Sequence, residues 1–240
     1  MKIYQDIEII GKSLWLSKEK ILIIADLHLG YEECLNAQGV LVPRHQFQET
    51  SNDLNKIFKE IELKKQKISK IIINGDLKHE FGEISRQEWN ETSKILDIVQ
   101  EKCKEIILIK GNHDTILEPI AKRKGLKIID FYCMGDICIL HGQKVLINPE
   151  TSKAKILIIA HEHPAVSLRE GAKSELYKCF LLGKFKSNKL VVMPSFLPII
   201  EGSDIKKERV LSPYLKQNLR NFEVFIVADK VYKFSKLKNI

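Results

Sequence analysis

The stretch Glu105-Ile106-Ile107-Leu108-Ile109-Lys110-Gly111-Asn112-His113-Asp114 carries the strongest structural signal in the chain. Its apolar run has the length of one strand, and an uninterrupted run of this kind is typical of a strand buried on both faces. The residues that follow Lys110 place an amide, an imidazole and a carboxylate on one tight turn. This stretch therefore predicts both a sheet and a site at the edge of that sheet.

Four further apolar runs end in the same residue types. In an α/β sheet, ligand sites form outside the carboxyl ends of the strands, where such side chains collect. Five strand ends that each deliver Asp, His or Asn therefore predict one shared site. The four runs, with the polar residues that follow them, are Ile21–Ala25 with Asp26 and His28, Lys70–Ile73 with Asp76, Ile137–Leu140 with His141, and Ile156–Ile159 with His161 and His163.

Helical periodicity occupies the gaps between the first strands. The segment from Pro43 to about Lys64 repeats apolar residues at helical spacing. Ser85-x-x-Glu88 is a capping box that begins a second helix. Alternating strands and helices imply right-handed crossovers and a largely parallel sheet in the first half of the chain.

The second half of the chain is richer in strands than in helices. We therefore expect a mixed α/β (α+β) protein, a four-layer αββα sandwich of two mixed sheets. We expect one domain over residues 1–240, with a small C-terminal addition from about residue 200. The strands of the second half are predicted near residues 126–129, 131–134, 137–141, 156–160, 176–182, 189–193 and 224–228.

The composition bears on location and partners. Of the 240 residues 44% are hydrophobic, and the net charge is +8. The longest apolar runs are far shorter than the ~20 residues of a membrane span, so we expect a cytoplasmic protein with no membrane partner. A basic balance favours a polyanionic partner such as nucleic acid. The alternative is that the dispersed lysines reflect only a thermophilic or AT-rich source.

The five cysteines form no Cys-x-x-Cys pair, and their number is odd. Reduced, small buried thiols are the favoured interpretation for an intracellular chain. A hairpin about Gly135-Asp136, with glycine first as a type II′ turn prefers, would place Cys133 opposite Cys138. A disulfide between these two residues is the alternative interpretation.

The motifs in order, Asp26-x-His28, Gly75-Asp76, Gly111–Asp114, His141 and His161-x-His163, resemble the calcineurin-like metallophosphoesterase family over residues 20 to 200. The resemblance implies that Asp26, His28 and His163 hold one metal ion, that Asn112, His141 and His161 hold a second, and that Asp76 bridges the two. Nitrogen and oxygen ligands without thiolate suit Mn²⁺, with Fe²⁺, Zn²⁺ and Ni²⁺ as alternatives. A hydroxide held between two such ions would attack phosphorus in line with the leaving oxygen.

Further residues are assigned through the same resemblance. His113 resembles the family's histidine that protonates the leaving oxygen, and Asp114 would orient the imidazole of His113 or else cap the following turn. Asp76-Leu77-Lys78-His79 resembles a motif of SbcD-type DNA repair nucleases, in which the histidine helps to orient the substrate. The alternative for His79 is a loop histidine that faces solvent. Arg44 is a candidate phosphate contact or a solvated side chain.

Two stretches narrow the resemblance to an archaeal branch related to SbcD, which also resembles the bacterial ligase-associated DNA-repair phosphoesterases. They are Asp26–Glu32 with Gln38–Arg44, and Met193–Pro198. The chain departs from the family pattern at Ala160, where glycine is usual, and at Gln143, where many relatives carry histidine. The alanine is tolerable if its φ is negative, whereas the glutamine places the metal preference in question.

We expect an ester hydrolase that cleaves phosphodiester bonds, with nucleic acid as substrate and DNA repair as setting. Partners in that setting would be DNA-repair proteins and a second copy of the chain. The alternatives are an enzyme acting on cyclic nucleotides or other small phosphodiesters, and a non-catalytic scaffold of the same fold. The Asp-Arg pair with which protein phosphatases of this fold follow Gly75-Asp76 is missing, which disfavours that activity.

Overall fold

The computed structural model describes all 240 residues, which form two compact units. The first unit comprises Met1–Ile129 and Phe196–Ile199, and the second comprises Asp130–Ser195 and Ile200–Ile240. Each unit contains one mixed sheet. Two mixed sheets confirm the predicted fold class, whereas the prediction of one domain with a C-terminal addition stays a prediction.

The first unit is a seven-stranded sheet whose spatial order follows the chain order. Its first four strands pair antiparallel, and the pairs from the fourth strand to the seventh are parallel. The strands are β1 Lys2–Tyr4, β2 Ile7–Ile10, β3 Ser13–Leu16, β4 Ile21–Ile24, β5 Lys70–Asn74, β6 Ile106–Ile109 and β7 Lys127–Ile129; the helices are α1 Tyr31–Ala37, α2 Gln46–Leu63, α3 Arg86–Lys102 and α4 Glu118–Arg123.

The predicted helices and buried strands of this unit are confirmed. Helix α2 buries Leu54, Ile57 and Phe58 against the alternate residues of β4 and β5 in one core cluster. Helix α3 begins at the predicted cap, because the Ser85 hydroxyl accepts a hydrogen bond from the backbone N–H of Glu88 at 3.0 Å. The buried apolar stripes of α2 and α3 hold these helices against β4, β5 and β6, and the loops that leave the carboxyl ends of the three strands are thereby held in place.

The second unit contains one nine-stranded mixed sheet and one α-helix. The elements are β8 Phe131–Met134, β9 Ile137–Leu140, α5 Pro149–Lys153, β10 Ile156–Ile159, β11 Pro164–Glu170, β12 Lys173–Phe185, β13 Asn188–Val192, β14 Ser203–Asp204, β15 Glu223–Val227 and β16 Val231–Lys236. Seven of the strands have the order β14-β11-β12-β13-β10-β9-β8, and the other two join the sheet because β15 pairs with β12 and β16 pairs with β15. Strands β9, β10 and β13 are parallel to one another, and the other pairs along this order are antiparallel apart from β11 with β14.

The hairpin of β8 and β9 has the predicted register. Cys133 lies opposite Cys138, with a Cα–Cα distance of 4.1 Å, and the structure joins the two sulfur atoms. The φ of +52° at Gly135 agrees with a glycine in the first central position of a type II′ turn. The reduced-thiol interpretation therefore holds only for the other three cysteines.

The protein has five α-helices. None combines the length and the apolar composition that a membrane span requires. Helices α2 and α3, the longest, each bury one apolar stripe and expose charged residues elsewhere.

Candidate metal centre

The first sheet delivers the predicted residues of its unit to one edge. Asp26 and His28 follow β4, Asp76 follows β5, and Asn112 follows β6, and these three strands run parallel. Backbone hydrogen bonds tie the neighbouring loops together, since the N–H of Asp26 donates to Gly75 O at 3.1 Å and that of His28 donates to Asp76 O at 2.9 Å. The loops are thus held in a fixed register by main-chain contacts.

Asp76 lies at the middle of this group. Its Oδ2 lies 3.7 Å from Nε2 of His28, and both side chains are buried. Its Oδ1 accepts a hydrogen bond from the backbone N–H of His113 at 2.8 Å. The ring of His113 in turn lies 4.7 Å from the ring of His28, edge to face. The carboxylate of Asp76 therefore lies against the imidazole of His28 and the backbone of His113, and the two imidazole rings contact each other.

Gly111 lies directly against Asp76. A Cβ at position 111 would overlap both Oδ1 and the backbone nitrogen of Asp76. The glycine is therefore required by close approach to the carboxylate, because any side chain would displace Asp76.

Asp114 joins the loops around the site through its carboxylate. Its Oδ1 accepts from the backbone N–H of Leu77 at 3.1 Å, and its Oδ2 accepts from that of Gly111 at 3.0 Å. Nδ1 of His113 lies against the carbonyl oxygen of His79. The His79 carbonyl therefore contacts the ring, and a role of Asp114 in orienting the imidazole stays a prediction.

His79 is half-buried and lies beside these imidazoles. Its Nδ1 is 3.4 Å from Nδ1 of His28, and its ring stacks on that of His113 with centroids 5.0 Å apart. Burial, helped by the neighbouring His113, lowers the pKa of His79 to about 4. His79 is therefore neutral at physiological pH, and the ligand atoms of His28, His79 and His113 all lie within 4.8 Å of one another.

The second unit positions the other three predicted ligands. His141 follows β9, and His161 and His163 follow β10, which is parallel to β9. The rings of His141 and His161 lie 5.0 Å apart. Ala160, where the family usually has glycine, shows no positive φ, so its methyl group is accommodated as expected.

Five of the predicted ligands share an unusual backbone conformation. Left-handed φ values are uncommon outside glycine and cost about 1–3 kcal/mol where the surroundings impose them. Only eight residues other than glycine have positive φ, and the remaining three are lysines at 20, 65 and 186. Such a concentration at predicted ligands indicates a functional constraint. The five are Asp26 with φ 54°, His28 with 47°, Asp76 with 48°, His161 with 70° and His163 with 50°.

Two buried carboxylates, those of Glu162 and Glu88, hold these loops. Glu162, between two predicted ligands, accepts from the backbone N–H of Leu211 at 2.9 Å and of Ser212 at 2.7 Å. Glu88 accepts from the N–H of His79 at 2.9 Å and of Glu80 at 2.8 Å. Burial raises the pKa of both carboxyl groups. Their positions gave only a weak signal, a glutamate within His-x-His and one within a capping box.

A third buried carboxylate, that of Glu32, supports the loop of Asp26 and His28 together with the side chain of Gln46. Glu32 Oε1 accepts from the backbone N–H groups of His45 and Gln46 at 2.7 Å each. The side-chain amide of Gln46 donates to His28 O at 2.7 Å. The start of α2 is thus coupled to the loop that carries His28.

Arg44 contacts surface side chains rather than the predicted ligands. Its guanidinium is exposed and donates to Glu33 Oε2 at 2.5 Å and to Gln87. The structure therefore gives Arg44 a surface ion pair, and a phosphate contact stays a prediction.

Lys78 is the least expected member of the region, because its side chain is fully buried. Its Nζ donates to the carbonyl oxygens of His113, at 2.6 Å, and of Glu80. Burial lowers the pKa of Lys78. The ammonium group joins the loop of His79 to the loop of His113.

We expect Lys78→Met to lower the free energy of unfolding by about 1–3 kcal/mol, because two buried carbonyl groups lose their charged donor. Urea denaturation followed by circular dichroism measures this change. Lys56→Met is the matched control, since Lys56 is exposed and pairs only with Asp53 at the surface. A Lys78→Met variant as stable as the control would show that desolvation of the ammonium group offsets its hydrogen bonds.

A search of curated proteins found no match. Among solved structures, the chain is similar to the nuclease MPE of Pseudomonas putida, with 16% identity and a TM-score of 0.65 over 93% of this chain and 92% of that one. It is also similar to YfcE, a phosphoesterase from E. coli, with 11% identity and a TM-score of 0.40 over 92% and 94% of the two chains. The model of the calcineurin-like phosphoesterase family matches residues 19–218. Because this match spans most of the sequence, the chain belongs to the calcineurin-like phosphoesterase family.

Proposed function

We propose that the protein hydrolyses phosphodiester bonds of nucleic acid with the help of two divalent metal ions. The observation that carries the proposal is the buried contact of His28 with Asp76, with the ring of His113 beside it. Membership of the family implies hydrolysis of a phosphoester bond. The choice of a diester, and of nucleic acid, is our proposal.

The residues present fit a metal pair. Carboxylate, imidazole and amide donors without thiolate suit Mn²⁺, and also Fe²⁺, Zn²⁺ or Ni²⁺. Buried carboxylates such as Asp26 and Asp76 are unfavourable unless cations offset their charge. The left-handed backbone at five of these positions supports the same assignment. The proposed ligands are Asp26, His28, Asp76 and Asn112 in the first unit, and His141, His161 and His163 in the second.

When bound, two such ions supply a hydroxide nucleophile and offset the charge that develops on the phosphoryl group. The chain's own residues orient the carboxylate of Asp76 and transfer a proton through His113. The close approach of Gly111 and the N–H of His113 fix the carboxylate of Asp76. A carbonyl oxygen can only accept, so Nδ1 of His113, beside His79 O, carries a proton. Nε2 of His113 is then the atom that exchanges a proton with the leaving oxygen.

Three observations support nucleic acid as the substrate. The net charge of +8 favours a polyanion. The P. putida protein of the same fold is called a nuclease, and Asp76-Leu77-Lys78-His79 resembles the motif of DNA repair nucleases. A nucleic-acid substrate also predicts an affinity that falls steeply with salt.

The proposal is tested with Mn²⁺-loaded protein on four substrates: a phosphate diester, a phosphate monoester, and single-stranded and double-stranded DNA. We expect hydrolysis of the diester and of DNA, loss of both activities on chelation, and DNA binding that weakens as salt rises. Hydrolysis of the monoester alone would overturn the proposal. Diester hydrolysis without salt-dependent DNA binding would shift the substrate class to small phosphodiesters.

A further inference from the structure

Four rings of the first unit form a continuous row. Tyr31 lies edge-on to His79 with centroids 4.7 Å apart, His79 stacks on His113 at 5.0 Å, and His113 meets Phe81 at 3.9 Å. The two inner members of this ring row are the histidines proposed to act at the reacting phosphate. Phe81 therefore lies at one end of the row, next to His113, which is proposed to protonate the leaving oxygen.

The backbone around Phe81 is anchored at several points. Thr115 Oγ1 donates to Phe81 O at 2.7 Å, and Lys78 donates to Glu80 O. Glu88 accepts from the N–H of Glu80 at 2.8 Å. The loop is thus tied to α3, to the turn after β6 and to a buried lysine, which gives Phe81 a defined position.

Phe81 is nevertheless 53% exposed. One part of the ring contacts His113, and a large part of its apolar surface remains in water. Exposure of an apolar ring is unfavourable unless a partner covers the ring. An anchored, half-exposed ring beside a reacting group is suited to stacking against a planar ring of the substrate.

We propose that Phe81 is a substrate-binding residue that stacks against the nucleobase on the leaving side of the scissile phosphate. The inference rests on the proposed function, because it assumes a nucleotide substrate. His113 is proposed to give its proton to the leaving oxygen, so the nucleoside attached to that oxygen is the part of the substrate that reaches Phe81. Every base has a flat π-face, and such a contact therefore confers little sequence preference.

A dinucleotide with one phosphodiester bond tests the inference. Dithymidine monophosphate is compared with two analogues, each of which lacks one of the two bases, for the wild type, Phe81→Leu and Phe81→Tyr. Stacking on one aromatic ring corresponds to a change of about tenfold. We expect Phe81→Leu to lower kcat/KM on the complete dinucleotide by roughly tenfold, and Phe81→Tyr, which keeps the ring, to restore most of this loss.

The analogues separate stacking from a structural effect. The loss in Phe81→Leu should shrink to less than about twofold with the analogue that lacks the leaving-side base, because the stacked pair is already absent. It should persist with the other analogue. An equal loss on all three substrates, or none on any of them, would overturn the inference alone. A wild-type protein that binds Mn²⁺ and cleaves none of the three would overturn the proposed function, and the inference with it.

Discussion

Replacing His113 by alanine is expected to slow hydrolysis of phosphodiesters with alkoxide leaving groups by about 10²–10⁴-fold, while bound metal is retained. The side chain would no longer protonate the leaving oxygen, and none of the proposed ligands is removed. A p-nitrophenolate leaving group departs without a proton, so the loss on a p-nitrophenyl diester should be much smaller. Single-turnover rates on both diesters, with metal content measured on the same samples, check this expectation.

His45→Ala is the matched control for that variant, because His45 is exposed at the start of α2 and its backbone rather than its ring makes the described contact. It should change neither rate nor metal content. If His113→Ala loses metal, then His113 is a ligand and our assignment is wrong. Equal losses on the two diesters would exclude proton donation as its role.

Replacing Gly111 by alanine is expected to lower hydrolysis of every substrate by about 100-fold, because a displacement of about 1 Å at a reacting centre has effects of that size. The added Cβ overlaps Oδ1 and the backbone nitrogen of Asp76, which is proposed to contact both ions. The carboxylate must move, and metal affinity should fall with it. Titration with Mn²⁺ and rates at saturating metal separate weakened binding from misplacement.

The control for this substitution lies on a nearby loop. Gly82→Ala adds the same methyl group in the same unit, where nothing lies within 4 Å and φ is not positive. This variant should match the wild type in rate and metal affinity. A Gly111→Ala protein with wild-type activity would mean that Asp76 has room to shift without loss, contrary to its proposed bridging role.

The residues at the sheet edge of the first unit could be predicted from sequence, because the strands and the polar residues that follow them are adjacent in the chain. Each buried run, such as Ile106–Ile109, is followed at once by its polar residues, so strand and loop residues are read together. Parallel pairing then places the ends of neighbouring strands side by side. The ligand candidates of each unit consequently follow the strands that the sequence predicts, whereas their role as ligands stays a prediction.

The supporting contacts could not be predicted, because they join positions far apart in the chain. Glu162 meets Ser212 across a sequence separation of 50, and Lys78 meets His113 across 35. A buried lysine looks like any surface lysine in a sequence. The ring row is hidden for the same reason, since Tyr31 and Phe81 stand beside histidines of other loops only after folding.

Several strands were also missed. Strands β1, β2 and β3 have only three or four residues each, and β1 and β2 each include a charged residue. The two-residue turn Gly11-Lys12 joins β2 and β3, and the φ of +55° at Gly11 is typical of a glycine in a tight hairpin turn. Strand β12 was predicted near 176–182 and extends over Lys173–Phe185, because its polar first half pairs with β11.

The left-handed backbone at the proposed ligands narrows the amino acids that evolution has available there. Apart from glycine, the residues that tolerate this conformation best are asparagine, aspartate and histidine, whose short polar side chains form local hydrogen bonds. Glutamate carries the same donor atoms as aspartate, but its longer side chain lacks that local compensation. At Asp26 and Asp76, the backbone conformation and the proposed metal coordination therefore favour the same few amino acids. Exchange of aspartate for glutamate at these positions is not a neutral step.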